Sequence, residues 1–251
     1  MFLSIIIPFV NEERYMIDCL DSLREQNLDD YEIIIVANGS EDMIGDLIKD
    51  YDDLNIICKE FDKRIGVAKA RNVGLDIAQG EYIYFLDCDD YLYSDGLSKL
   101  IEAAKKSGAD FINGERMNTA YIRDRIDEAI EKKYEKFLLK GKMSDERFSA
   151  KLLVGQMTNP EEVLSVLHAL IKRDVIADAR FIEDKVYNSD YDFIVDIYPN
   201  INSFKGVEKS IYAKRIRDDP IYLTSLNQEE KEDGFLIYAD EYQKVLDTIN
   251  N

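Results

Sequence analysis

Gly80-Glu81-Tyr82-Ile83-Tyr84-Phe85-Leu86-Asp87-Cys88-Asp89-Asp90 is the stretch that decides how this chain is read. Tyr82 to Leu86 is a short run with apolar character on both faces, which suits a strand covered by helices on both sides. Directly after it come Asp87, Asp89 and Asp90, so the strand delivers several carboxylates to the rim of its sheet. Carboxylates placed so close repel one another unless something neutralises them. A hard divalent cation with oxygen ligands does so, and it can grip a diphosphate at the same time. A solvated acidic loop capping the helix near Ser94 reads from the same residues, and only context separates the two.

Working outward, similar short runs recur at Leu3 to Ile7, Ile33 to Val36, Leu54 to Ile57 and Phe111 to Ile112. Helical spacing fills the gaps between them: Met16, Leu20 and Leu23; Ile44, Leu47, Ile48 and Tyr51; Leu97, Leu100, Ile101 and Ala104. Asn11, Ser40 and Ser94 precede these helices as N-caps. A β-α-β-α order with right-handed crossovers predicts an α/β fold with a doubly wound, mostly parallel sheet flanked by helices. Its ligand crevice then lies beyond the carboxyl ends of the strands. The residues just after each strand are therefore the candidates for chemistry.

The 251 residues carry 32 Lys+Arg against 51 Asp+Glu, a net charge of −19, the wrong sign for a nucleic-acid binder. No apolar run approaches the roughly 18 residues that cross a bilayer, and the start lacks the basic region and cleavage site of a signal peptide. A cytoplasmic protein is expected. Cys19, Cys58 and Cys88 are odd in number and include no CxxC pair, which argues against a disulfide framework or a zinc knuckle. After about residue 113 the texture changes to a charged helical stretch, Tyr121 to Lys140, and Asn159-Pro160-Glu161-Glu162 reads as a helix start. Leu167 to Ile171 fits either a helical face or a short buried strand. The acidic end, 226–251, spaces Phe235, Ala239, Tyr242, Leu246 and Ile249 as an amphipathic helix, which would pack on the rest of the chain or on a second copy in a homo-oligomer. The expected division is 1–113, 114–225 and 226–251.

Four ordered segments resemble glycosyltransferase family 2, enzymes of the GT-A fold. They are Ile5-Ile6-Ile7-Pro8-Phe9-Val10-Asn11-Glu12, Val36-Ala37-Asn38-Gly39-Ser40-Glu41-Asp42, Lys69-Ala70-Arg71-Asn72-Val73-Gly74 and Gly80 to Asp90. The resemblance implies that 1–113 is a nucleotide-sugar-binding half. Pro8, Phe9, Val10, Glu12 and Asn38 would frame base and ribose, Arg71 would point towards the base, Asp87 would meet the ribose, and Cys88 and Asp89 would belong to the same nucleotide-sugar site. It further implies a divalent cation, Mn²⁺ or Mg²⁺, on Asp89. The family's paired acids after the second strand are Ala37 and Asn38 here. An amide offers both acceptor and donors where a carboxylate only accepts, so base recognition becomes less discriminating. Taken from spacing alone, Arg71 also reads as a solvated arginine on an exposed helix face.

The resemblance continues more loosely through 114–225, the acceptor-binding and catalytic half. Phe181-Ile182-Glu183-Asp184 to Ser189-Asp190-Tyr191-Asp192-Phe193 is similar to a stretch in which an acid acts as catalytic base, and it places that role on Asp190, with Ser189 where the family has Glu. An acid at that point also suits the start of a helix. Ile211-Tyr212-Ala213-Lys214-Arg215-Ile216-Arg217 resembles a strand whose basic residues neutralise the departing diphosphate, here Arg215 and Arg217, although Pro220 replaces a Ser. His168 lies in a segment similar to the family's acceptor side. What the resemblance implies as a whole is an inverting, metal-dependent transferase. It would move a sugar from a nucleotide-diphospho-sugar, chiefly a UDP-sugar, to a glycan, polyol-phosphate or glycoprotein hydroxyl in bacterial surface glycan assembly. Transfer to a polyprenyl phosphate is disfavoured by the −19 charge, because anionic membrane surfaces attract basic segments. A catalytically silent nucleotide-sugar-binding or assembly domain is the remaining alternative. A dinucleotide-dependent dehydrogenase fails, since no G-x-G-x-x-G follows the first strand.

Overall fold

The computed structural model describes residues 1–39, 44–93, 95–119, 166–183 and 189–215. The expected caps Ser40 and Ser94, the helical stretch 121–140, the helix start at 159–162, Asp184, Arg217, Pro220 and the helix in 226–251 lie outside them.

The described residues build an eight-stranded sheet in the order β3-β2-β1-β4-β7-β6-β8-β5. In chain order these are β1 (Leu3–Phe9), β2 (Tyr31–Asn38), β3 (Ile56–Phe61), β4 (Tyr82–Phe85), β5 (Tyr91–Leu92), β6 (Phe111–Thr119), β7 (Ala169–Lys172) and β8 (Phe204–Arg215). The helices are α1 (Glu13–Arg24), α2 (Ile44–Leu47), α3 (Val67–Ile77), α4 (Gly96–Ser107), α5 (Arg173–Ile176) and α6 (Ser189–Ile197). Pairing is parallel from β3 through β2 and β1 to β4 and again between β6 and β8, while β7 and β5 run the other way. The sheet is mostly parallel, with helices packed on it: α3 against β1 and β2, α4 against β6, β7 and β8. It takes strands from both sides of residue 113, and β6 itself crosses that position.

The strand order sets the site. The chain leaves β1 for β2 and β3, then returns through α3 to β4 on the other side of β1. That reversal is the topological switch point at which open α/β sheets bind ligands. Since β8 runs parallel to β6, and β7 and β5 are reversed, β8 and β4 end at the same rim.

Two local expectations change. Asn11 is not the cap of α1. Glu12 occupies the N-cap position without a side-chain cap bond, and Asn11 turns into positive φ (47°), a conformation Asn tolerates better than most residues. The stretch Leu167 to Ile171 is neither a helix nor wholly a strand, being a 3₁₀ turn at Val166–His168 followed by β7. Strand β7 is buried between β4 and β6, so both its faces are apolar and periodicity carries no signal there.

Candidate functional site at the carboxyl rim of the sheet

Asp87 to Asp90 form the turn by which the chain leaves β4 and comes back as β5. Oxygen atoms of Asp87, Asp89 and Asp90 lie within 4.8 Å of one another, a hard all-oxygen donor set suited to Mg²⁺ or Mn²⁺. Asp90 is almost fully buried. Burial first, and then the neighbouring Asp89 charge, push its carboxyl up to about 7. The three acids crowd one turn, and their oxygen donors fit a hard divalent cation.

Arg71 meets this turn from α3. Helix α3 begins at Val67, preceded by Gly66 at φ 86°. Arg71 is not solvated: its side chain is 5% exposed, with Nη2 donating to Asp87 Oδ1 at 2.8 Å and Nη1 to Asp190 Oδ1. Burial works against its charge, but Asp190 and Asp87 more than offset this and raise its pKa. Its neighbours in sequence fasten the helix that carries it. Asn72 donates to the Phe181 carbonyl at 2.9 Å and accepts from the Phe181 N–H at 2.8 Å, while Gly74 lies where a Cβ would come 2.3 Å from Ile6 Cγ2 of β1.

Asp190 arrives on α6 for a reason visible in its spacing. Phe193, Ile194 and Ile197 are its buried face, and Asp190 precedes them at i−3, i−4 and i−7, so it looks inward with them. Phe193 stacks on Phe181 at 4.1 Å, and both meet Phe85 of β4 edge-on. These rings dock α6 beside β4, the strand that leads into Asp87. Asp190 keeps 31% of its side chain exposed.

The remaining sequence candidates are placed as follows. Pro8 and Phe9 end β1, Val10 follows, and Glu12 is mostly buried at the start of α1. Asn38 ends β2, but its Oδ1 accepts the backbone N–H groups of Ile65 and Gly66 at 2.5 and 2.9 Å. Two donors identify that atom as the oxygen. The amide acceptor is thus engaged in shaping the loop before α3, and only the NH₂ points elsewhere. Cys88 is buried, with its thiol pushed up by burial and the nearby acids. His168 is buried in the turn before β7, at the rim level of Leu86 by extension of the Tyr84–Leu170 pair. Arg215, expected at a diphosphate, has its guanidinium on Asp18 Oδ2 at 2.6 Å and on the Asp89 carbonyl at 2.9 Å. Asp90 was read only as one of several rim carboxylates, and Tyr212, Asp18 and Asn72 were not singled out by sequence. Asp90 and Asn72 stand within the quoted motifs, and Tyr212 lies within the basic strand, whereas Asp18 is one acid among many in the sequence.

The family model of glycosyl transferase family 2 matches residues 4–175. The chain belongs to that family. Among curated relatives, the uncharacterized glycosyltransferase EpsJ of Bacillus subtilis is 37% identical over 110 residues, which are 43% of this chain and 32% of that protein. The poly(ribitol-phosphate) beta-glucosyltransferase of Bacillus spizizenii is 37% identical over 120 residues, 45% of this chain and 19% of that protein. The chain thus spans about a third or less of the length of these curated relatives. S. aureus TarS 1-349, solved in complex with UDP-GlcNAc, superposes with a TM-score of 0.69 at 20% identity, over 90% of this chain and 62% of that one. Mannosyltransferase PcManGT of Pyrobaculum calidifontis, solved with GDP-Man and Mn²⁺, gives 0.62 at 18% identity, over 88% and 58%. Both share the GT-A fold of this family 2 chain. No helix among the described residues is long and apolar enough to cross a membrane.

Proposed function

We propose that the chain is an inverting, metal-dependent glycosyltransferase that moves a hexosyl or N-acetylhexosaminyl group from a UDP-sugar to a hydroxyl acceptor in bacterial surface glycan assembly. The observation that carries this reading is the convergence of Asp87, Asp89, Arg71 and Asp190 at one switch-point rim. They come from one turn and two helices, and together they offer a carboxylate pair for a cation beside a partly exposed carboxylate. Asp87 and Asp89 would hold the cation, with Asp90 behind them as the buried anchor of the turn. A bound divalent cation supplies positive charge that stabilises the leaving diphosphate.

Asp190 accepts the proton of the acceptor hydroxyl. As that oxygen bonds to the anomeric carbon, the carbon–oxygen bond to the diphosphate breaks and its electron pair leaves with UDP. A base acting opposite the leaving group inverts the anomeric centre. Arg71 holds the Asp190 carboxylate in place through Oδ1. The residues Pro8 to Val10, Glu12 and Asn38 are the wall assigned to base and ribose, where Asn38 offers its NH₂ as a donor.

The UDP-GlcNAc complex of TarS and the names of the relatives, among them a teichoic acid poly(glycerol phosphate) polymerase of Staphylococcus epidermidis, support the donor and the surface-glycan setting. The Mn²⁺ in PcManGT supports the cation. The test is a panel of nucleotide-sugars with Mn²⁺, scored for hydrolysis and thermal stabilisation, with Asp89→Asn as the variant. Asp89→Asn is expected to abolish Mn²⁺-dependent UDP binding while the fold persists, because Asp89 lies at the rim. Calorimetry that finds the same Mn²⁺-dependent affinity in both proteins removes the metal assignment.

A further inference from the structure

The Asp87–Asp90 turn is gripped from a strand more than 120 residues away. Tyr212 of β8 accepts the Asp87 N–H at 3.2 Å on its hydroxyl oxygen and donates the hydroxyl proton to Asp90 Oδ2 at 2.6 Å. Three residues on, Arg215 donates its own N–H to Asp90 Oδ1 at 2.8 Å and its Nε–H to the Asp89 carbonyl at 2.9 Å. Its Nη2 reaches Asp18 of α1 at 2.6 Å, and its guanidinium lies over the rings of Tyr15 and Tyr91 at 4.9 and 5.3 Å. Every residue of the turn that carries a carboxylate is thereby fixed at one or more atoms by β8. The topology makes this possible, because β5 leaves the turn antiparallel to β8, with Tyr91 opposite Ala213 and Leu92 opposite Tyr212.

We propose that Tyr212 and Arg215 are positioning residues of the donor site, holding the Asp87–Asp90 turn in the geometry that receives the cation and the diphosphate, with Asp18 anchoring Arg215 to the first helix. The inference rests on the donor-site reading above. The Tyr212 hydroxyl closes a ring with the Asp90 N–H, which donates back to the Asp87 carbonyl at 3.1 Å, so the turn keeps one conformation before any ligand arrives. Groups that orient metal-binding carboxylates in this way typically alter metal affinity 10–100-fold when removed. Arg215, with both ends of its guanidinium engaged inside the protein and its side chain 10% exposed, acts on the diphosphate through the turn.

The experiment uses the full chain and two variants. Tyr212→Phe removes only the hydroxyl. Arg215→Lys keeps the positive charge and the backbone N–H but cannot reach Asp18 and the Asp89 carbonyl together. Hydrogen exchange in metal-free protein is expected to show faster exchange at the Asp87 and Asp90 amides in Tyr212→Phe, with strands β1 and β2 unchanged. Calorimetry is expected to show Mn²⁺-dependent UDP binding weakened about tenfold or more, and kinetics a raised donor KM with kcat less affected. Arg215→Lys carries the same readouts if Tyr212→Phe does not fold, and its retained charge means that a weaker affinity is not simple loss of attraction. Unchanged amide exchange at the turn overturns the proposal, as does wild-type Mn²⁺-dependent UDP affinity in both variants. Wild-type protein that binds no UDP with Mn²⁺ refutes the donor-site reading instead, and the exchange measurement still scores the clamp.

Discussion

Arg71 sits between two carboxylates that lie 16 and 119 residues away from it in the chain, and this pairing changes what a substitution at Asp190 should do. By sequence alone, Asp190→Asn keeps a good residue at the start of a helix and costs little stability. In the structure it also takes one of two counter-charges from a buried guanidinium. A loss of about 1–2 kcal/mol is expected, discounted for the partial exposure of Asp190, and chemical unfolding measures it. Because a base contributes nothing to holding the donor, UDP-sugar affinity should persist while transfer falls roughly 10²–10⁴-fold. Asp192→Asn is the control, and a dead Asp192→Asn beside an active Asp190→Asn would move the base elsewhere. Asp87, Asp89 and Asp190 are legible in sequence because each stands directly after a strand or at a helix start, where local pattern announces position. Tyr212 and Asp18 are not, since their importance follows from β8 lying beside β5, and no local pattern encodes a neighbour 125 residues away.

At the scale of elements, α3 shows how one motif serves three contacts. Arg71 faces the carboxylates, Asn72 clasps Phe181 through both of its backbone groups, and Gly74 lets the helix settle on β1. A Cβ at residue 74 would stand 2.3 Å from Ile6 Cγ2, and Ile6 is wholly buried, so that side chain has little room to yield. Gly74→Ala is therefore expected to destabilise the protein by about 1–3 kcal/mol even though Ala is the better helix former, read as a lower denaturation midpoint. An unchanged midpoint would mean that α3 can lift from β1 at no cost. The central strands were readable because β1 and β2 are buried on both faces. Their order was not, and neither were β5 and β7: two- and four-residue strands hold too few positions to display a period.

For the molecule as a whole, the formal charge of −19 makes any buried acid at the rim a control on stability, and Asp90 is that acid. Its carboxyl titrates at about 7 in the folded protein against an ordinary value of 3.8, chiefly because burial disfavours the charged form and Asp89 adds repulsion. The folded state therefore holds this proton more tightly than the unfolded chain does. Its contribution is fully present below about pH 4 and is lost as the pH rises through about 7. Metal-free protein should accordingly lose stability over that window, and Asp90→Asn, which has no proton to release, should lose less. A divalent cation at Asp87 and Asp89 opposes the same effect, because it favours ionised carboxylates around it. The stabilisation gained from Mn²⁺ should thus be larger near neutral pH than in mild acid for the wild-type chain, with the difference reduced in Asp90→Asn. Unfolding midpoints across this pH range, with and without Mn²⁺, measure both. Parallel wild-type and Asp90→Asn curves would show that the Tyr212 and Arg215 hydrogen bonds already hold Asp90 ionised without help from a metal.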